Sequence, residues 1–180
     1  MIATQHTEAT RKKLREAGFF LRLLATVDKA TVMTPEPEAP DFYLSAFFSA
    51  ARAVQWTLKK ERTDEWNAWN HGWFTALTDA EKANYQFLID QRNNIHKAGG
   101  PEITITVANV SLMEFMREVS LQGGNVFIGT GMPGTPQPTF SKQEKTFTAL
   151  PGQTLGAVCQ PLFDLVTRLV EDFERAHPPT

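Results

Sequence analysis

Residues 42–60 read Phe42-Tyr43-Leu44-Ser45-Ala46-Phe47-Phe48-Ser49-Ala50-Ala51-Arg52-Ala53-Val54-Gln55-Trp56-Thr57-Leu58-Lys59-Lys60. Apolar side chains fall on nearly every side of a helix drawn through this stretch, and a helix apolar almost all round belongs in the middle of a bundle. The fold is therefore expected to be mainly α. The polar exceptions carry the functional information. Ser45, Ser49 and Arg52 stand at i, i+4 and i+7, so they share one face. An Arg on such a helix needs a partner or a wet cavity, because an unpaired buried charge is costly. Arg52 is thus either a structural cation paired with a neighbour, or part of a stripe that lines a binding site.

Helices surround this segment. Residues 8–33 place Leu14, Ala17, Leu21, Leu24 and Ala25 close to a 3.6-residue period. Pro35, Pro37 and Pro40 then mark a loop, since each fixes φ and removes a donor, and Asp41 is the expected N-cap of the apolar helix. Beyond it, Thr63 or Asp64 can cap a third helix on which Trp66, Trp69 and Trp73 recur at i, i+3 and i+7. That stripe reads first as core, with a Trp-lined small-molecule pocket as the alternative. Thr78-Asp79-Ala80-Glu81 is a capping box. The helix it opens is expected to run to about Lys97, ahead of the Gly99-Gly100-Pro101 stop.

The texture changes after residue 101. Residues 103–107, Ile-Thr-Ile-Thr-Val, are β-branched at every position and read as a strand. Residues 112–121 have the spacing of a short helix. Residues 123–152 hold six Gly and four Pro, the composition of a long loop or hairpin, with strands expected at 126–128 and 145–149. Leu155, Val158, Leu162, Leu165, Val166, Leu169 and Phe173 then form a regular amphipathic helix, in which Pro161 predicts a kink or a start near residue 161. The expected architecture is a single domain, an up-and-down bundle of four to five long helices. Its scaffold covers 8–98 and 153–176, and a small β-containing insertion at 101–152 precedes the last helix.

Composition bounds the function. The 180 residues carry 18 basic and 20 acidic side chains, net −2, and one cysteine, Cys159. Neither half of the chain is a polyanion-binding surface by bulk charge. A disulfide within the chain is excluded, and no apolar run approaches the length of about 20 residues needed to span a membrane. A cytoplasmic setting without membrane attachment is the expectation. The four histidines, His6, His71, His96 and His177, are scattered, with no metal-ligand spacing, so neither a metal nor a cofactor is expected. Gly129-Thr130-Gly131-Met132-Pro133-Gly134 has the form G-x-G-x-x-G. Pro133, Pro136 and Pro138 block the helix that a dinucleotide motif requires, so it reads as a turn-rich loop.

The constellation that remains is Gln91-Arg92-Asn93-Asn94-Ile95-His96-Lys97. Arg92 and His96 are i, i+4 and project from one helix face, which also carries Tyr85 and Leu88. Arg offers a planar fork to a phosphate or carboxylate, and His exchanges a proton near neutral pH. The bland alternative is a cationic pair that caps the carbonyls at the end of its own helix.

At this motif the chain resembles the HEPN superfamily, helical bundles whose signature is an Arg, a short spacer and a His, frequently with Asn or Asp after the Arg. Arg92-Asn93-Asn94-Ile95-His96 supplies all three. Residues 43–54 are similar to the second helix of an uncharacterised bacterial HEPN-like group, and residues 158–174 to its closing helix. The resemblance implies dimeric bundles, many of them metal-independent RNases of toxin–antitoxin or defence systems. In such an enzyme Arg92 would bind the scissile phosphate, His96 would move protons and Asn93 would orient them. It also implies a homodimer, RNA or a nucleotide as ligand, and an antitoxin-like protein partner. Three residues separate Arg92 from His96, whereas the RNase signature has four to six. With the near-zero net charge, this favours a non-catalytic binding module whose anion-binding residues are the Arg/His pair together with Arg52, Ser49, Ser45 and Lys97. A metal-independent endoribonuclease is the alternative reading.

Overall fold

The computed structural model describes residues 7–28, 38–98, 103–110, 113, 117, 140–148 and 150–178. Its elements are α1 (Glu8–Asp28), α2 (Ala39–Glu61), α3 (Thr63–Ala76), α4 (Asp79–Ala98), β1 (Ile103–Val110), β2 (Phe140–Phe147) and α5 (Leu155–Ala176). The chain is mainly α, a helical bundle with a small β hairpin before its last helix. No described helix is long and apolar enough to cross a membrane.

The most apolar helix takes the central place. α2 packs against α1, α3, α4 and α5, and its Leu44, Phe47, Phe48, Ala51, Val54 and Leu58 are fully buried. α1 and α5 also pack on each other. Gly18 of α1 faces Phe163 of α5 so closely that a Cβ there would lie 3.1 Å from the ring. Two buried clusters follow. One joins α1, α2 and the start of α5 with Leu88 of α4 and Phe147 of β2. The other joins Leu58, Tyr85 and the end of α5 with the indoles of α3. Trp66 and Trp73 are buried in that second cluster and Trp69 packs edge-on against Phe173. Two members of the tryptophan stripe are therefore core, and Trp69 packs partly buried against them. Trp73 Nε1 donates to Asp172 Oδ2 at 3.0 Å, which satisfies its one polar atom.

Local signals in the sequence are realised unevenly. The capping box at Thr78 forms in full: the Thr78 amide donates to Glu81 Oε2 at 2.8 Å, and the Glu81 amide donates to Thr78 Oγ1 at 3.3 Å. α2 begins three residues earlier than Asp41 would set it. Glu38 is its N-cap, and Pro40 lies inside the first turn, where a missing amide hydrogen breaks no helical bond. Neither Thr63 nor Asp64 caps α3. Arg62 is the junction residue, and the Thr63 hydroxyl instead donates back to Lys59 O at 2.9 Å, because the two helices follow each other with a single residue between them. α5 starts at Leu155, not near 161, and runs through Pro161; Thr154 Oγ1 accepts from the Ala157 amide at 3.3 Å and fixes that start. The stretch 29–33 expected to continue α1, the Pro35–Pro37 loop, the strand at 126–128 and the G-x-G-x-x-G loop lie outside the described residues. Of the short helix at 112–121, Met113 and Arg117 are described and both are helical.

The hairpin is antiparallel, with register from Ile103 opposite Phe147 to Val110 opposite Phe140. The second strand spans 140–147, not 145–149, and Thr146 bridges to Thr154 at the start of α5. Phe147 is 1% exposed and packs edge-on against both Phe48 and Phe87, so a strand residue completes the helical core.

Carboxylates from elsewhere hold the first turn of α1. Glu61, the last residue of α2, accepts from the amides of Ala9 at 2.9 Å and Thr10 at 3.1 Å, and from the Thr10 hydroxyl at 2.5 Å. Glu174 of α5 accepts from the Thr7 hydroxyl at 2.5 Å and from both Nε and Nη2 of Arg11. The orphan amides of a helix start are thereby satisfied across the fold.

Candidate functional site

The bundle leaves an open groove of about 230 Å³ between α2 and α4, lined by Ser49, Arg52, Ala53, Trp56, Thr57, Lys60 and Arg92. Its floor is a single stripe of α2: Ser49, Arg52, Trp56 and Lys60 stand at steps of three, four and four residues, so successive side chains point the same way. α4 supplies Arg92 because Tyr85 and Leu88, seven and four residues earlier in helical register, are buried against the rest of the bundle. Packing that face leaves Arg92, the next in the row, half-buried at its edge.

Arg52 is held in one orientation. Its Nη1 donates to the Tyr85 hydroxyl at 3.0 Å and also to Gln55 Oε1, to which the Tyr85 hydroxyl donates in turn. The guanidinium lies over two rings, 5.5 Å from the centroid of Trp56 and 5.9 Å from that of Tyr85. Burial pushes the Tyr85 phenol up to about 12, against the opposing pull of the Arg52 charge and its hydrogen bonds, so the phenol keeps its proton across the neutral range. Among the described residues Arg52 has no ion pair; it is pinned instead by neutral partners. Arg92 and Lys60 have no hydrogen bond or ion pair among the described residues, and no carboxylate is among the described residues that line the groove. Three cations converge with no carboxylate among the described residues between them, and such a place is stabilised by an anion. Two guanidinium forks can each present parallel N–H donors to a phosphate or carboxylate.

The expected site residues divide. Arg52, Ser49 and Arg92 come together in the groove. Ser45 lies one turn before Ser49 on α2, outside the lining. Asn93 follows Arg92 but is not in the lining either, and Lys97 is exposed near the end of α4. His96 is placed on α4 one turn beyond Arg92; its side chain lies outside the described residues. Trp56, Lys60, Gln55 and Tyr85 were not expected in the site. Trp56 and Lys60 are the next two steps of the Ser45–Ser49–Arg52 stripe, so continuing that stripe along α2 finds both. Tyr85 shares the helix face of Arg92 by spacing, but its bond to Arg52, and with it the place of Gln55 in the site, comes only from the tertiary contact of α2 with α4. No family model matches the chain, and no curated protein or solved structure matches it either.

Proposed function

We propose that the chain is a HEPN-like bundle that acts as a non-catalytic anion-binding module, with its anion seated in the α2–α4 groove. One observation carries this reading: Arg52, Lys60 and Arg92 converge there, Arg52 pinned by neutral partners, with no carboxylate among the described residues of the lining. The groove is smaller than the range of about 300–1,000 Å³ typical of drug-sized ligand pockets, which suits a phosphate group and its immediate attachment. Calorimetric titration of the full chain with pyrophosphate at low salt tests it. Saturable binding is expected, weakened at least ten-fold in Arg92→Ala and in Arg52→Ala, and weakened by added salt because the cations are partly solvated. Affinity indifferent to both substitutions refutes the assignment. The catalytic alternative is separated by incubating RNA with the chain in the presence of a chelator. No turnover is expected, whereas cleavage lost in both His96→Ala and Arg92→Ala would replace the binding reading.

A further inference from the structure

Trp56 stands out within the groove. It is 58% exposed, while Trp66 and Trp73 are buried, and leaving so large an apolar surface in water forgoes the gain that burial would bring. Its surroundings are ordered all the same. The Arg52 guanidinium lies over the indole, and Tyr85 and Gln55 hold that guanidinium in place. The guanidinium and the indole are already in cation–π contact, 5.5 Å from guanidinium carbon to ring centroid, before any ligand arrives. Nη1 of Arg52 is committed to Tyr85 and Gln55, and its charge lies beside Arg92 and Lys60 in the same groove.

We infer that the ligand carries a planar aromatic ring a short arm away from its phosphate, the ring stacking on Trp56 and the phosphate meeting Arg92 and Lys60. This rests on the anion-binding reading and narrows it to a substrate class, aryl and heteroaryl phosphates. Every such ring has a π-face, so stacking tolerates different rings while rejecting a phosphate without one. The pinned Arg52 lowers the ordering cost on the protein side, since that side chain has little freedom left to lose.

The test titrates the full chain with inorganic phosphate, ribose 5-phosphate, phenyl phosphate and AMP, by calorimetry and by tryptophan emission. AMP, phenyl phosphate or both should bind at least ten-fold tighter than ribose 5-phosphate, about 1.4 kcal/mol, and should change tryptophan emission. Trp56→Leu, an exposed position whose variant's folding is checked by circular dichroism, should bring the ring-bearing phosphates down to the level of ribose 5-phosphate and abolish the emission change. Phenyl phosphate matching AMP supports any aryl phosphate, and AMP alone supports a heteroaromatic base. Equal affinity for all four phosphates, still lost in Arg92→Ala, overturns the ring and leaves the anion site standing. An advantage of ring-bearing phosphates that survives in Trp56→Leu overturns the assignment to this residue. Binding of none of the four overturns both readings together.

Discussion

Replacing Tyr85 by Phe isolates one oxygen atom on which the site's geometry depends. The ring remains, so its edge-on contact with Phe74 at 4.8 Å and its place beneath the Arg52 guanidinium remain. The acceptor for Arg52 Nη1 at 3.0 Å and the donor to Gln55 Oε1 are lost. A hydrogen bond to a charged group is worth about 1.5–3 kcal/mol. Arg52 keeps its bond to Gln55 and Phe has no hydroxyl to desolvate, so the net cost should fall near about 1–1.5 kcal/mol. That is about 2–6 °C in melting temperature for a domain of this size. Affinity should fall as well. An Arg52 no longer held must be ordered on binding, at about 0.5–1.5 kcal/mol for one long side chain, or roughly two- to twelve-fold in the dissociation constant for pyrophosphate. Calorimetric titration and thermal unfolding on the same sample measure both. A Tyr85→Phe chain that melts lower yet binds as tightly as the parent would refute the claim that Tyr85 positions Arg52 for a ligand. An alkaline titration adds an independent check. The phenol's pKa is raised in the folded state to about 12, so between pH 10 and 12 the unfolded chain releases the proton first. The contribution is fully present below about pH 10 and is lost as pH rises through about 12, by on the order of 2–3 kcal/mol, and Tyr85→Phe should flatten that part of the profile.

Further expectations follow from the same contacts. Glu61→Ala leaves the amides of Ala9 and Thr10 and the fully buried Thr10 side chain without their acceptor; chemical denaturation should show a loss of about 2–3 kcal/mol, with Glu61→Gln intermediate. The Glu81 carboxyl is held down to about 2, first by the Arg168 hydrogen bond and then by Thr78. Its stabilising effect is present above the usual carboxylate range and disappears as pH falls through about 2, so an acid unfolding profile should lose part of its slope in Arg168→Gln. Lys97→Ala, at the exposed end of α4 and outside the groove, should leave pyrophosphate affinity within two-fold of the parent, and a ten-fold loss there would move the site toward the helix end.

The fold was legible where one signal acted alone. The apolar girdle of residues 42–58 specified a central helix because no other placement buries it. Thr78 and Glu81 specified a helix start because the two groups satisfy each other within one turn. Sequence reasoning failed where a neighbour in space outbid a neighbour in sequence. Thr63 has the chemistry of a cap, yet its hydroxyl turns back to Lys59 because α2 ends only at Glu61. Pro161 carries the mark of a helix start, yet Thr154 begins the helix earlier, where Leu155, Val158 and Cys159 are buried. Arg52 could be recognised as needing a partner, but not that the partner would be a phenol thirty-three residues away. Arg92 was placed by its helical register after Tyr85 and Leu88, and this is why half of the site could be read and the pinning network could not.

The pinning of α1 has a consequence for how the chain is made. Of the described helices, α1 is synthesised before the others, and its opening turn depends on carboxylates supplied by Glu61 of α2 and Glu174 of α5. While α2 to α4 are being synthesised, α1 can lie along α2, but the clasp at Thr7 and Arg11 waits for the last turns of α5. Closing the bundle is therefore a late event in which the two ends of the described chain meet, and a nascent chain stalled before α5 would present the apolar faces of α1 and α2 uncovered.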